Sequence, residues 1–465
     1  MNLTRLQLPH TLVLIGTIIL VVAALTWVIP GGRYHRRIDE NGREVVDGGT
    51  FAFVERKPQG LFAVLKAPLL GIRQTADIIG FILIIGGVFA IIQQTKVVDA
   101  AIARVAHRLR HRGMLVIPAG MLLFSLFGAV FGMSEEVIPF VPIFIPLALA
   151  LGYDSIVGVC IPFLGAGLGF AGAMLNPFTI GIAQGISGLP LFSGMGYRIV
   201  VWLLSTALGI ALVMLHAARV RKKPESSPVY LLDQTREKIV ASDDPAAAQL
   251  TRRHKAIVVL FVLALVVMIV GVMRFRWFIP EIAAVFLGLG IATGIAARLP
   301  LNSIADSFVA GARDLVGAAL VVGFARAILV VATDGQIVDT LMYALSNAIA
   351  RLHPVFAAQL MYVAQTVLNF FVPSGSGKAA LTMPIMAPLA DLIGITRQTA
   401  VLAYQLGDGY TNMIIPTSGV TMAVLGMARI PWEQWARWLL PIEIALFVLG
   451  LLLVIPPVLL HWGPF

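Results

Sequence analysis

Apolar residues in this chain run in long blocks, without the regular alternation of an element that faces water on one side. Thr11–Ile29, Ala256–Val272, Ile282–Ala297 with its flanks, and Leu439–Leu460 reach or approach the roughly 18 apolar residues that cross a bilayer. Further blocks lie between them: Ile78–Gln93, Leu115–Val130, Val137–Leu151, Ser155–Gly185, Arg198–Ala218, Leu315–Val331 and Thr396–Met427. The pattern predicts an all-α polytopic membrane protein. Leu61–Ala76, which carries Lys66, Pro68 and Arg73, and Leu301–Arg313 are expected at the membrane interface, and residues 31–59 as a polar loop.

The middle of the chain repeats. Pro142, Pro146, Gly152, Gly165 and Gly167 fall on Pro384, Pro388, Gly394, Gly407 and Gly409 without a gap. Both copies then reach a second proline break, Asn176-Pro177 and Pro416-Thr417. Upstream, Asp77, Gly80 and Gly86 match Asp314, Gly317 and Gly323, and Lys96-Val97-Val98-Asp99 matches Gln336-Ile337-Val338-Asp339. Helix breakers recurring at matched places in apolar segments mark a transporter built from two halves with discontinuous helices. Lipid tolerates such breaks only where protein or a wet cavity shields the freed backbone.

The expected organisation is a first repeat over residues 1–218, a linker with one connecting helix over 219–279, and a second, inverted repeat over 280–465. The first repeat has a re-entrant hairpin with its tip at 131–136 and a helix break at 165–177. The second has its tip at 373–378 and its break at 407–419. The basic stretches Lys96 to Arg112 and Arg219 to Lys255 mark the cytoplasmic side. They put the N-terminus in the cytoplasm and the C-terminus outside.

Composition agrees. The chain is 58% hydrophobic and 12% charged, against roughly 25% charge in a soluble protein. The net charge of +10 sits in loops beside membrane helices, and no basic soluble domain stands out, so nucleic acid is not an expected partner. Thr11–Ile29 is too long for a signal-peptide core and reads as a retained helix. Cys160, alone in an apolar run, reads as a packing residue.

Ionisable residues inside the span are few: Glu135 and Glu136 at the first tip, Lys378 at the second, Asp408 in the second break. A buried charge needs a partner, so Lys378 either pairs with Glu135, Glu136 or Asp408, or holds a carboxylate of the solute. The carboxylates in turn could take a solute ammonium, a proton or Na⁺. Broken helices offer N–H groups and a positive dipole end to anions, and carbonyls to cations. The candidate solute-binding set is Ser134, Glu135, Glu136, Asn176, Pro177, Thr179, Ser374, Ser376, Lys378, Asp408, Thr411, Asn412, Thr417 and Ser418, with Glu135, Glu136 and Asp408 as ion-coupling candidates. For Gly165, Gly169 and Ala173 close helix packing explains the small residues equally well. Arg326 is expected to pair with Asp314 or to snorkel.

Pro373-Ser-Gly-Ser-Gly-Lys378-Ala imitates a phosphate-binding loop, but Val372 stands where its first glycine belongs and Ala379 replaces the Mg²⁺-binding hydroxyl. No HExxH or Cys/His cluster suggests a metal centre, and no cofactor is expected beyond a coupling Na⁺ or H⁺.

Glu135-Glu136 with Ile138-Pro139, Gly165-Ala-Gly, Leu175-Asn-Pro-Phe178, Gly181-Ile-Ala-Gln-Gly185, Gln405-Leu-Gly-Asp-Gly409 and Pro416-Thr-Ser-Gly419 resemble the YfcC-like carriers over nearly the whole chain. That family groups with the DcuC-type four-carbon dicarboxylate carriers and includes members described as basic amino-acid antiporters. It is similar to the ion transporter superfamily. The resemblance implies a homodimer held by a scaffold, with hairpins and broken helices moving as an elevator in a bacterial inner membrane. Dicarboxylate/Na⁺ members carry Ser-Asn-Thr at both tips; this chain has Ser-Glu-Glu and Ser-Gly-Lys. The expected function is therefore alternating-access transport of a small carboxylate-bearing solute, an amino acid and in particular a basic one. A dicarboxylate carrier is the second reading, an ion channel a third from another class, and a membrane enzyme the weakest, since no nucleophile–base pair is legible.

Overall fold

The computed structural model describes residues 11–38, 44–47, 49–98, 100–101, 104, 113–236, 251–275 and 277–463. Asp99, most of the first basic stretch, and Asp243-Asp244-Pro245 in the linker lie outside the described residues. The chain is mostly helical, with seven helices among the described residues long and apolar enough to cross a membrane.

The first helices are α1 (Thr11–Val28), α2 (Leu61–Gln74) and α3 (Ala76–Gln94). Next come α4 (Val116–Phe131), α5 (Val141–Ala150), α6 (Ser155–Val159), α7 (Gly165–Gly172), α8 (Ile180–Ile186), α9 (Met195–Lys222) and α10 (Tyr230–Gln234). The second half follows α11 (Arg252–Phe275) and begins with α12 (Ile279–Ala296), α13 (Leu301–Asp314), α14 (Val316–Asp334) and α15 (Val338–Ile349). It continues with α16 (Pro354–Phe371), α17 (Gly375–Leu392), α18 (Arg397–Gly409), α19 (Gly419–Ala428), α20 (Trp432–Leu453) and α21 (Ile455–Leu459).

Residues 31–54, expected as loop, instead contain two short antiparallel pairs, Gly31–Arg33 with Ala52–Val54 and Arg36–Ile38 with Glu44–Val46. Their docking explains the order: Phe51 stacks on Tyr343 at 3.9 Å, and Arg36 pairs with Asp339 at 3.1 Å.

Helix lengths sharpen the repeat. α2 and α13 each have 14 residues, α3 and α14 each 19, and their boundaries differ by a constant step: Leu61 to Leu301, Ala76 to Val316. The same step carries Lys96 onto Gln336, both in the left-handed region at φ 59° and 57°. This corrects the match of Asp77, Gly80 and Gly86 to Asp314, Gly317 and Gly323, which is three residues out of phase with the helices.

Packing is reciprocal across the step: α2 lies along α14 and α3 along α13, while α1 packs on α14 and α12 on α3. Glycine permits these approaches. A Cβ on Gly71 would fall 2.2 Å from the Gly323 carbonyl oxygen, and one on Gly311 2.3 Å from that of Gly86.

The helix breaks start later than expected. Gly165 to Gly172 and Gly407 to Gly409 are helical, and the chain leaves the helix at Ala173 (φ 39°) and Tyr410. The glycines before each break serve close packing: a Cβ on Gly169 would meet the Ser125 carbonyl oxygen at 1.8 Å, and one on Gly409 the Cα of Ala171 at 2.4 Å. α7 thus packs against both α4 and α18, bringing the two breaks together.

Candidate functional site

Each hairpin tip is shaped by its own local chemistry. α4 ends at Gly132 in the left-handed region, φ 70°. The chain then turns through Ser134 into a tight 3₁₀ helix, Glu135–Phe140, in which Glu136 Oε2 accepts the Ser134 N–H at 2.8 Å. At the second tip Ser374 caps α17, its hydroxyl accepting from the Gly377 N–H. That places Lys378 in the first turn, aimed inward, while Ser376 is exposed.

Lys378 and Asp408 meet at 3.0 Å with no exposed surface on either side chain. Lys378 Nζ also donates to Asn369 Oδ1 at 3.1 Å and to the Gln365 carbonyl at 3.4 Å, and stands 5.3 Å from the Tyr404 ring centre. Asn369 in turn donates to Thr411 Oγ1 at 2.8 Å, Asn412 Oδ1 at 2.9 Å and the Asp408 carbonyl at 3.3 Å. Asn412 Nδ2 closes the ring onto Asp408 Oδ2 at 3.3 Å. One amide therefore ties α16 to the residues of the second break.

The first break faces both tips. Leu175 N–H donates to the Ala129 carbonyl, and Asn176 lies against Gly132, where a Cβ would sit 2.4 Å from its Oδ1. Thr179 lies against Gly375 of the other tip, where a Cβ would meet its methyl at 2.5 Å and Asp408 Oδ2 at 3.4 Å. Tyr404 OH donates to the Gly375 carbonyl at 2.6 Å. Asn176 Nδ2 and Thr179 Oγ1 after the first break, and Thr417 Oγ1 in the second, are buried without a hydrogen-bond partner among the described residues. Ser418 caps α19, against which the Glu135–Phe140 turn packs.

Of the expected pairings, Lys378 takes Asp408; neither Glu135 nor Glu136 lies within ion-pair distance of it. Among the described residues Arg326 pairs with no acid, Asp314 included: its Nε donates to Gln74 Oε1 at 2.9 Å, and Asp314 takes Arg429 at 2.8 Å. Pro177 is exposed and does not line the buried cluster. Sequence reasoning missed Asn369, Gln365 and Tyr404. Gln365 and Asn369 stand four apart, on one face of an apolar helix, and that spacing was the available signal.

The chain matches the DcuC family, described as C4-dicarboxylate anaerobic carrier, over residues 8–458. It belongs to that family. Among its curated relatives, the Escherichia coli protein named "Putative basic amino acid antiporter YfcC" is 37% identical, over 98% of this chain and 96% of the relative. A Haemophilus influenzae protein named only as uncharacterized is 29% identical over 97% of each. Among solved structures, the Alcanivorax borkumensis YdaH transporter covers 98% of this chain and 100% of its own at 18% identity, with a TM-score of 0.44. Neisseria gonorrhoeae MtrF, described as illuminating a class of antimetabolite efflux pumps, covers 99% of this chain and 98% of its own at 14% identity, with a TM-score of 0.43. The protein is thus a multi-pass membrane carrier of the DcuC family and not an enzyme.

Proposed function

We propose that this carrier is a secondary active transporter of a basic amino acid, arginine- or ornithine-like, working by exchange or ion coupling. The observation that carries the reading is the Lys378–Asp408 pair: each charge is answered by the other inside the protein. The carboxylates left at the hairpin tips are Glu135 and Glu136. A site lined by these repels a doubly anionic dicarboxylate and attracts an ammonium or guanidinium. The name of the Escherichia coli relative points the same way.

The solute would lie between the tips and breaks, near Asn176, Thr179 and Thr417, whose unpartnered polar atoms suit its carboxylate and backbone groups. The reciprocal packing of α2 on α14 and α3 on α13 supports two inverted repeats, over residues 1–218 and 280–465, joined by the linker and α11. In this reading α1–α3 and α12–α14 form a scaffold, dimeric through a second copy. The hairpins with α6–α8 and α18–α19 form the moving part of an elevator in the inner membrane. The N-terminus is cytoplasmic and the C-terminus outside.

The second reading is a four-carbon dicarboxylate carrier, favoured by the family description; it needs Glu135 and Glu136 protonated in the loaded state. Counterflow in proteoliposomes separates the two. Labelled arginine entering faster against internal arginine or ornithine supports the proposal. Labelled succinate doing so while arginine does not assigns the dicarboxylate reading. Single-channel currents without counterflow would mean a channel.

A further inference from the structure

Glu443 lies within α20, part of the apolar span Trp432–Leu459 of mean hydropathy 2.6, and its side chain is buried. Its Oε2 is shut off from solvent without a hydrogen-bond partner, and no cation lies within ion-pair distance among the described residues. Such a carboxylate is costly in a membrane interior.

The neighbouring donors are committed elsewhere. Tyr410 and Tyr362 are the titratable groups on which a charge at Glu443 acts. Ser205 Oγ donates its one proton to the Val201 carbonyl at 2.7 Å. At the 2.5 Å contact between Ser205 Oγ and Tyr410 OH, the tyrosine is therefore the donor. Tyr410 has no second proton to give Glu443, but it can accept one. The Tyr362 hydroxyl lies at Gly450, seven residues further on and about 10 Å along the helix. The indoles of Trp435 and Trp438 donate to the Met413 carbonyl and to His216.

Among the described residues, no cation of the other elements packed on α20 pairs with Glu443: Arg219, Arg221 and Lys222 lie in the last turn of α9, and Arg397 of α18 is taken by Asp391. On α9, His216 is held by Asp154 and Trp438, and Arg198 stands near the opposite end of the helix. On α18, Asp408 is taken by Lys378. α19 and α21 carry no ionisable side chain. The surroundings fit a neutral carboxyl that donates, not a carboxylate that must accept.

We propose that Glu443 is a proton-binding site of this carrier, neutral in this conformation and able to release its proton when Tyr410 turns from Ser205 toward it. In that step the carboxyl O–H bond breaks, the proton passes to water, and the carboxylate gains the Tyr410 hydroxyl as donor. Return of Tyr410 to Ser205 reverses each transfer. Tyr410 sits between Asp408 and Thr411 at the second break, so proton binding and the shape of the solute site are reciprocally linked. The transport half of the test rests on the carrier reading; the infrared half does not.

Infrared difference spectra of the purified protein against Glu443→Gln at neutral pH should show one protonated-carboxyl band that the variant loses. Ser205→Ala, which frees the Tyr410 proton for Glu443, should weaken that band, and Tyr410→Phe should leave it. In proteoliposomes, a gradient of about one pH unit should drive up to about tenfold accumulation per coupled proton of the solute that shows counterflow. Glu443→Gln should lose that accumulation yet keep counterflow. A wild-type spectrum without the band overturns the proposal, whatever the solute. So does a band that disappears in Glu443→Gln while pH-driven accumulation persists.

Discussion

Lys378 and Asp408 form an ion pair 3.0 Å long in which neither side chain has exposed surface. Lys378 belongs to the first turn of α17, Asp408 to the last turn before the second helix break. The pair therefore fastens the hairpin tip to the break.

Removing one partner leaves an uncompensated buried charge, which costs about 3–5 kcal/mol. Lys378→Ala and Asp408→Asn should each lower the thermal transition of the detergent-solubilised protein markedly. The double variant Lys378→Met/Asp408→Leu should recover most of it, because apolar replacement of a buried pair is often neutral. Thermal unfolding followed by size-exclusion chromatography decides between this and additive losses.

Asn369 accepts from Lys378 and donates to three groups of the break. Asn369→Ala should destabilise by about 1–3 kcal/mol, the usual range for stranding buried polar partners. The same melts should place it between Ser376→Ala, exposed and without effect, and the single variants of the ion pair.

The glycine contacts predict position-specific effects. Gly169→Ala drives a methyl into the Ser125 carbonyl and should abolish accumulation of folded protein, whereas a Cβ at Gly185 meets nothing within 4 Å. Gly185→Ala should express like the parent.

At the end of α9 the linker docks through Asp233, which accepts the Ser155 N–H at 2.8 Å and the Arg236 guanidinium at 2.9 Å. Burial nonetheless raises its pKa above the ordinary carboxylate value; the Ser155 bonds and Arg236 only partly offset it. A raised carboxylate pKa means the folded state holds the proton more tightly than the unfolded chain. Its contribution is full below the unfolded value of about 3.9 and is lost as pH rises through the folded one. Asp233→Asn should therefore flatten the decline in thermal stability on going from acid to neutral pH. An unchanged pH profile would contradict the assignment.

The apolar spans and the polar breaks were legible in the sequence, because each is local in the chain. Gly152 and Gly394 are left-handed as their match suggests, φ 84° and 73°. The choice of Asp408 over Glu135 or Glu136 as partner of Lys378 was not legible, since it depends on which helix faces the tip. Glycine alone does not separate a break from a tight helix contact, so both breaks were placed too early. Glu443 was hidden inside an apolar run, although a carboxylate there is itself a signal.

The solute site is tested most directly by protection of a cysteine at the second tip. With the buried Cys160 replaced by serine, Ser376→Cys supplies an exposed thiol beside Lys378. Maleimide labelling should slow in the presence of arginine, or of whichever solute shows counterflow, and not with solutes that show none. A labelling rate indifferent to every transported solute would contradict the convergence of tips and breaks on the solute.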